Sequence, residues 1–277
     1  MSNGEIGIAV MRYTNPVTGS LHWQKAWFFL DGDVQHTMIS GLTSTTSAPV
    51  YSVLDQRHHA GSVMVDGVST NSIEDAQVQT LWHGDVGHLF PDFNNSAVIS
   101  VSVTKKSGSW SAIGISSQPP TTVELFTARI EHKSISTPVS YTTFPGTSYE
   151  TFVKKSAGLH LQSVQNDKSI SAVFNGGSNT AMVVFWDAAG GSVTFDPGPA
   201  NAPITITADG NIALLYRLET GEVTVSDPSQ SLVRTQVTLT LGQGTKPPKW
   251  GNGLVETLNF NHPSGGGAGG SVGQTVG

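Results

Sequence analysis

The chain has 277 residues, enough for one large or two modest domains with a sizeable buried core. It carries 14 Lys and Arg against 20 Asp and Glu, and the net charge of −6 argues against a nucleic-acid or membrane partner, since both need clustered positive charge. The absence of cysteine excludes disulfides, thiolate nucleophiles and thiolate zinc sites. No apolar run approaches the ~20 residues needed to cross a bilayer.

Short apolar runs separated by turn signals follow one another along the chain, with the spacing that is typical of an all-β sandwich. The stretch AVISVSVTK alternates apolar and polar residues, the period of a half-buried strand. No segment of helical length shows a 3.6-residue apolar stripe. Strands are predicted at Ile6–Tyr13, Ala26–Leu30, Val34–Ile39, Val50–Asp55, Val78–Trp82, Ala97–Lys105, Trp110–Ile115, Val123–Ile130, Leu159–Gln165, Ile170–Phe174, Ala181–Trp186, Ile204–Ala208, Ile212–Leu218, Val223–Ser226 and Val233–Leu241. The predicted fold class is all-β.

Composition shifts predict the domain organisation. The stretch Ser136–Glu150 is rich in Pro, Thr and Ser, which favours a domain junction there or just after it. We therefore expect one sandwich over residues 1–150 and a smaller one over residues 151–242. Residues 243–277 are rich in Gly and predict a flexible tail.

One aromatic cluster stands out in the stretch KAWFFLDGDVQHTMISGLTST, which runs from Lys25 to Thr45. Adjacent strand residues point to opposite faces, so Trp27 and Phe29 share one face and Phe28 occupies the other. Large aromatics on both faces indicate a strand inside a sandwich or under a covering domain, and each such ring buries roughly 150–250 Å². We expect Trp27, Phe29 and Trp110 to be mostly buried, with stacking of Trp110 on a sugar ring as the alternative.

The same stretch resembles the central β-sandwich of polysaccharide lyase family 8, the family of hyaluronate, chondroitin AC and xanthan lyases. Four further stretches are similar to motifs of that family, in the same order: LWHGDVGHLFPD, KKSGSWSAIG, ARIEHKSISTPVSYTTFPGTSYE and VSDPSQS. The resemblance covers Gly4 to Leu241. It implies a partial large antiparallel β-sandwich, a galactose mutarotase-like supersandwich incomplete at its amino-terminal side, followed by a small carboxy-terminal sandwich.

The resemblance also implies an activity, β-elimination at a uronic acid of a polysaccharide. In the family an Asn, a His, a Tyr and an Arg of an amino-terminal helical toroid perform this reaction, and no such helical domain is recognisable in this sequence. We therefore assign no catalytic residue, and expect a scaffold that binds an acidic polysaccharide weakly. A full-length relative is expected to carry the helical domain. The family is extracellular, although the amino terminus MSNGEIGIAVMRY shows no signal peptide.

Three residues are nominated for contact with such a polysaccharide: Arg57, His58 and His83. Arg57 and His58 belong to the run RHH, which also includes His59, and a guanidinium pairs well with a sugar carboxylate. A solvated loop is the other interpretation of this run. The HGDVGH segment invites a metal interpretation, but a hairpin with turn glycines is the preferred one, and neither a metal nor a cofactor is predicted.

Two other functions compete with the lyase-derived scaffold. The first is an independent carbohydrate-binding or interaction module that kept the sandwich and lost the catalytic domain. The second is a complete enzyme with a new site on the sandwich. No nucleophile elbow such as Gly-x-Ser-x-Gly marks the latter.

Overall fold

The computed structural model describes residues 1–91, 93–198, 202–242, 253–262 and 274–276. Within these residues nearly every regular element is an antiparallel strand, so the all-β prediction is confirmed. The strands are β1 (Gly7–Thr14), β2 (Leu21–Leu30), β3 (Val34–Ser44), β4 (Tyr51–His58), β5 (Val63–Val65), β6 (Val68–Ser69), β7 (Ser72–Ala76), β8 (Thr80–His83), β9 (Val86–Leu89), β10 (Ala97–Gly108), β11 (Thr121–His132), β12 (Val139–Phe144), β13 (Leu161–Asn166), β14 (Ile170–Asn175), β15 (Thr180–Phe185), β16 (Gly191–Phe195), β17 (Ile204–Ala208), β18 (Ala213–Arg217), β19 (Glu222–Ser226), β20 (Arg234–Thr240), β21 (Val255–Asn261) and β22 (Gln274–Val276).

The chain divides into two compact units. The first contains residues 1–43, 138–140 and 155–277, and the second contains residues 44–137 and 141–154. In the first unit the strand orders are β1-β2-β3, β13-β14-β15-β18-β19-β22 and β16-β17-β20-β21. In the second unit the orders are β4-β11-β10-β7 and β12-β9-β8-β5-β6, with β12 beginning in residues of the first unit. The predicted domain ranges 1–150 and 151–242 stay predictions.

The core of the carboxy-terminal part of the first unit lies between two sheets. Strands β14 and β15 are buried at every position, whereas β16, β17 and β20 place alternate residues inside. Phe174 and Phe195 stack across this core with ring centroids 5.1 Å apart. Strand β21 pairs with β20 along its whole length and buries Phe260. Part of the segment predicted as a flexible tail is therefore strand, and most of the remaining tail lies outside the described residues.

Strand β2 corrects the prediction for the aromatic cluster. Phe28 is fully buried, but Phe29 is 43% exposed and Trp27 is only half-buried. The prediction that Trp27 and Phe29 share one face was right, but the prediction that this face enters the core was wrong. Ala26, Phe28 and Leu30 are the core residues, because their face of the β1–β2 ladder is the covered one.

Trp110 also differs from the prediction. The segment expected as a strand at Trp110–Ile115 is a single 3-10 turn, Trp110–Ala112, at the tip of the long β10–β11 hairpin. The Trp110 side chain is 52% exposed, and Ile113 beside it is 80% exposed. Ser109, Ser111 and Gly114 interrupt the apolar pattern here, which suits a turn better than a strand.

One helix, α1 (Tyr149–Ala157), was not predicted. Ser148 precedes it, and its hydroxyl oxygen accepts a hydrogen bond from the Thr151 amide at 3.4 Å. Its only fully buried side chain is Phe152, which packs edge-on against Phe144 and closes over Gly87. A Cβ on Gly87 would lie 2.2 Å from the Phe152 ring, so this glycine is required for the contact. Among the described residues, no helix is long and apolar enough to cross a membrane.

The two neighbouring phenylalanines of β2 provide a test of this core assignment. Phe28→Ala removes a fully buried ring and should lower the free energy of unfolding by about 3–5 kcal/mol. Phe29→Ala should lower it by less than about 1.5 kcal/mol, because much of that ring is already in water. Urea unfolding of both variants gives the comparison, and equal losses would contradict the assignment.

Candidate functional site

The nominated residues Arg57 and His58 lie at the end of strand β4, which pairs with β11. In the register of this ladder Arg57 lies opposite Phe126, and His58 lies opposite Leu125. The chain stays extended one residue further, because the His59 amide donates a hydrogen bond to the Glu124 carbonyl at 2.9 Å. Residues 55, 57 and 59 therefore share one face of the sheet, and the exposed His58 lies on the other.

The shared face holds a group of polar side chains that we call the Arg57 cluster: Asp55, Arg57, His59, His83 and Glu124. His83 enters from strand β8, with its ring centroid 5.2 Å from that of His59 in a stacked arrangement. The structure thus brings together two of the three nominated residues, Arg57 and His83. It adds His59, which alternation along the strand would have identified had β4 not been predicted to end at Asp55.

Arg57 is held from two directions. It forms an ion pair with Asp55, and its Nη1 donates a hydrogen bond to the Gly84 carbonyl at 2.9 Å. Gly84 and Asp85 have φ values of 53° and 61°, the pair of left-handed conformations found in type I′ hairpin turns. A Cβ on Gly84 would lie 3.1 Å from Arg57 Nη1, so glycine at this turn leaves room for the guanidinium. The Arg57 side chain remains 37% exposed.

His83 is buried next to this exposed cation. Its ring lies 4.1 Å from the Phe126 ring, and its Nδ1 lies 3.2 Å from the Ser62 carbonyl oxygen, which can only accept. Nδ1 therefore carries the proton, and Nε2 is left as a buried acceptor without a hydrogen-bond partner among the described residues. Burial lowers the pKa of His83, the hydrogen bond to the Ser62 carbonyl partly opposes this shift, and the nearby charge of Arg57 adds to the lowering.

The cluster can bind an anion more readily than it can transfer protons. Elimination requires a group that neutralises the carboxylate, a base and an acid, all within hydrogen-bonding distance of one sugar. Here 37% of the Arg57 side chain is exposed to solvent, whereas Nε2 of His83 is buried. His59 is bound at Nδ1 to the Glu124 carboxylate at 3.1 Å, and its Nε2 is buried as well.

The metal interpretation of the HGDVGH segment has no support in the geometry. His88 lies opposite Leu81 on the β8–β9 ladder, and its Nδ1 lies 3.1 Å from the Thr143 hydroxyl oxygen. Asp85 occupies the turn itself. Across the described ranges of the chain, no group of three His, Asp or Glu side chains could hold a metal ion.

His58 lies on the outer face of the β4–β11–β10–β7 sheet, with Gln56, Leu125 and Thr127. A shallow cleft of about 180 Å³ on this face is lined by residues that include Glu74, Ser100, Ser102, Thr127 and Arg129. The Arg129 guanidinium lies 4.6 Å from the Tyr51 ring centroid. Arg57 and His58 thus lie on opposite faces of one sheet, and His83 packs from a second sheet on the side of Arg57, so one ligand on either face cannot contact all three.

Comparison with known proteins gives two matches to sequence families. The model for the polysaccharide lyase family 8 super-sandwich domain matches residues 1–156. The model for the C-terminal β-sandwich domain of the same family matches residues 164–236. A search of curated proteins gave no match.

Solved structures share the fold at low sequence identity. A chondroitinase AC lyase solved with oligosaccharides is 22% identical with a TM-score of 0.77, over 99% of this chain and 40% of that one. A xanthan lyase from Paenibacillus is 20% identical with a TM-score of 0.72, over 86% of this chain and 24% of that one. A chondroitin AC lyase from Streptomyces coelicolor A3, in complex with chondroitin sulphate, is 21% identical with a TM-score of 0.67, over 93% and 33% of the two chains. This chain therefore spans less than half the length of each.

Two buried histidines, one in each unit, predict how stability depends on pH. Burial lowers the pKa of His36 and of His88 to about 4 from the ordinary 6.5. The unfolded chain therefore binds protons below pH 6.5 that the folded chain does not bind until about pH 4. The contribution of each neutral histidine to the free energy of unfolding is fully present above pH 6.5 and is lost as the pH falls toward 4. It amounts to on the order of 3 kcal/mol for each residue.

His88→Leu should remove one of these contributions. We expect the difference in unfolding free energy between pH 7 and pH 4.5, measured in urea, to shrink by about 2 kcal/mol in this variant. Phe90→Leu serves as the control, because the Phe90 ring packs beside His88 and does not titrate. It should lower the free energy of unfolding equally at both pH values. A His88→Leu variant with an unchanged difference would show that His88 is not neutral in the fold.

Proposed function

Since the chain belongs to polysaccharide lyase family 8, we propose that it is the β-sandwich region of such a lyase and that by itself it binds an acidic polysaccharide without cleaving it. The family models together match most of the chain, and the resemblance drawn from the sequence motifs is thereby confirmed. The binding and the lack of cleavage are the proposal. Support comes from the Arg57 cluster and from the chemistry of uronic acids.

The proposal depends mainly on the placement of Arg57. Its guanidinium is fixed by Asp55 and by the Gly84 carbonyl, while more than a third of the side chain faces solvent. A fixed, open guanidinium loses little freedom on pairing with a carboxylate or sulfate, and such pairs make two parallel hydrogen bonds. Because the pair with Asp55 already neutralises part of the charge and the chain carries a net charge of −6, the binding should be weak.

The burial of His83 supports the lack of cleavage. A base must reach the proton it removes, at about 2.6–3.2 Å between heavy atoms or through one water. Nε2 of His83 has no exposed surface, and Nδ1 carries the proton held by the Ser62 carbonyl. The low pKa of His83 would keep the ring neutral, but a neutral ring without access cannot act on a polymer.

A combined assay of binding and cleavage tests the proposal. The purified chain is incubated with hyaluronan, chondroitin and xanthan, and the ultraviolet absorbance of unsaturated uronate is followed in parallel with affinity electrophoresis. We expect no rise in absorbance and a retardation that weakens with added salt. Arg57→Ala should weaken the retardation about tenfold, which corresponds to ~1.4 kcal/mol.

Arg234→Ala is the matched control, because it removes an exposed arginine from strand β20 in the other unit. It changes the net charge by the same amount and should leave the retardation within about twofold. Equal losses in the two variants would show that binding depends on net charge alone. Absorbance that rises with wild-type chain and stays flat with His83→Ala would instead establish a catalytic site on the sandwich.

A further inference from the structure

Strands β1 and β2 form an open face of aromatic side chains that the Arg57 cluster does not include. The two strands pair antiparallel, with Tyr13 opposite Trp23, Met11 opposite Lys25, and Phe29 opposite Gly7. Alternation places every second residue of β2 on the same face as Phe29. We call this surface the aromatic face and define it by Met11, Tyr13, Trp23, Lys25, Trp27 and Phe29.

Large apolar surfaces of these side chains remain accessible. Met11 is 48% exposed and Phe29 is 43% exposed, while Tyr13, Trp23 and Trp27 are half-buried. The opposite face of the same ladder, with Ile8, Ala26 and Phe28, is buried and forms core. The aromatic face is thus a continuous patch on one side of a firmly packed hairpin, and patches of this kind mark binding surfaces.

The rings are ordered by contacts with one another. Tyr13 and Trp23 stack with centroids 5.1 Å apart and ring planes 22° from parallel. The Lys25 Nζ lies 5.0 Å from the Trp27 ring centroid, a cation–π contact. These contacts fix the side chains before any ligand arrives, so binding would lose little side-chain entropy.

Charge points to the class of ligand. Lys25 is the one charged side chain among the six residues of this face, because Arg12 and His22 alternate onto the opposite face, where the Arg12 guanidinium donates a hydrogen bond to the Trp186 carbonyl. A positive charge between apolar rings, with no carboxylate among the residues of the face, favours an anionic group on a ligand that also has apolar surface. The face is also long, because the seven residues from Trp23 to Phe29 span about 20 Å at the rise of a β-strand.

We propose that the aromatic face is a second binding surface for an acidic polysaccharide. The apolar faces of successive sugar rings would stack on Trp23, Trp27 and Phe29, and a carboxylate or sulfate would pair with Lys25. The ligand class rests on the proposed function, whereas the residues are independent of it. A sugar polymer fits a row of separate rings along one strand, since each ring can take one sugar without a shaped cavity.

Tryptophan fluorescence of the full chain titrated with chondroitin sulfate oligosaccharides tests this inference. Trp23→Ala and Phe29→Ser should each raise the dissociation constant at least fivefold. Lys25→Met should reduce its dependence on salt. Trp110→Ala is the matched control, because it removes an exposed indole outside the face and should leave the dissociation constant within twofold. Circular dichroism and thermal melting check that each variant is folded. If the half-buried Trp23 proves necessary for folding, Phe29→Ser alone tests the aromatic face.

The outcomes separate this inference from the proposed function. If Arg57→Ala weakens binding and neither aromatic variant does, the Arg57 site stands and the aromatic face is overturned. If the aromatic variants weaken binding and Arg57→Ala does not, the aromatic face stands and the Arg57 site falls. Loss in Trp110→Ala equal to that in Trp23→Ala also overturns the inference. So does light scattering that shows a dimer broken by Trp23→Ala while oligosaccharide binding is unchanged, because the face would then bind a second copy of the chain.

Discussion

The structure depends on one geometric constraint, the alternation of side chains between the two faces of a strand. Where a strand has one covered and one open face, as β2 has, a shift of one residue decides whether a side chain lies in the core or in water. Phe28 and Phe29 are neighbours in sequence, and only the first is core. His58 and His59 are neighbours, and only the second joins Arg57 and His83.

This constraint explains how much of the fold the sequence could predict. Most strands were recognisable because their apolar residues recur with period two or run continuously, as in β14 and β15. The faces were harder, since the sequence of β2 shows which residues share a face but not which face is covered. Helix α1 escaped notice because it buries a single residue, Phe152, and so has no apolar stripe. Strand β21 lies in a segment whose Gly-rich surroundings favoured a flexible tail, and only its pairing with β20 reveals it.

The candidate site was predictable to the same extent. Arg57 and His83 were nominated for their chemistry, yet their proximity arises from the pairing of β4 with β11 and from the packing of β8 over Phe126. Pairings between distant strands are tertiary information that no local pattern contains. His59 was within reach of sequence reasoning, because extending β4 by a few residues places it two positions from Arg57 on the same face. The burial of His83 could not be predicted from the sequence, because it depends on the packing of a neighbouring strand.

A family 8 sandwich presents the partly exposed side chain of Arg57 beside two buried histidines where two sheets of one unit pack together, and ordered aromatic rings on a hairpin in the other unit. Hydroxyl-radical footprinting read by mass spectrometry tests it most directly, because oxidation reports the exposure of individual side chains. Without ligand, Phe29, Met11 and Trp110 should be oxidised readily and Phe28 should be protected. With chondroitin sulfate, Met11, Trp23, Trp27 and Phe29 should become protected while Trp110 remains reactive. Equal oxidation of Phe28 and Phe29, or protection of Trp110 alone, would contradict the account.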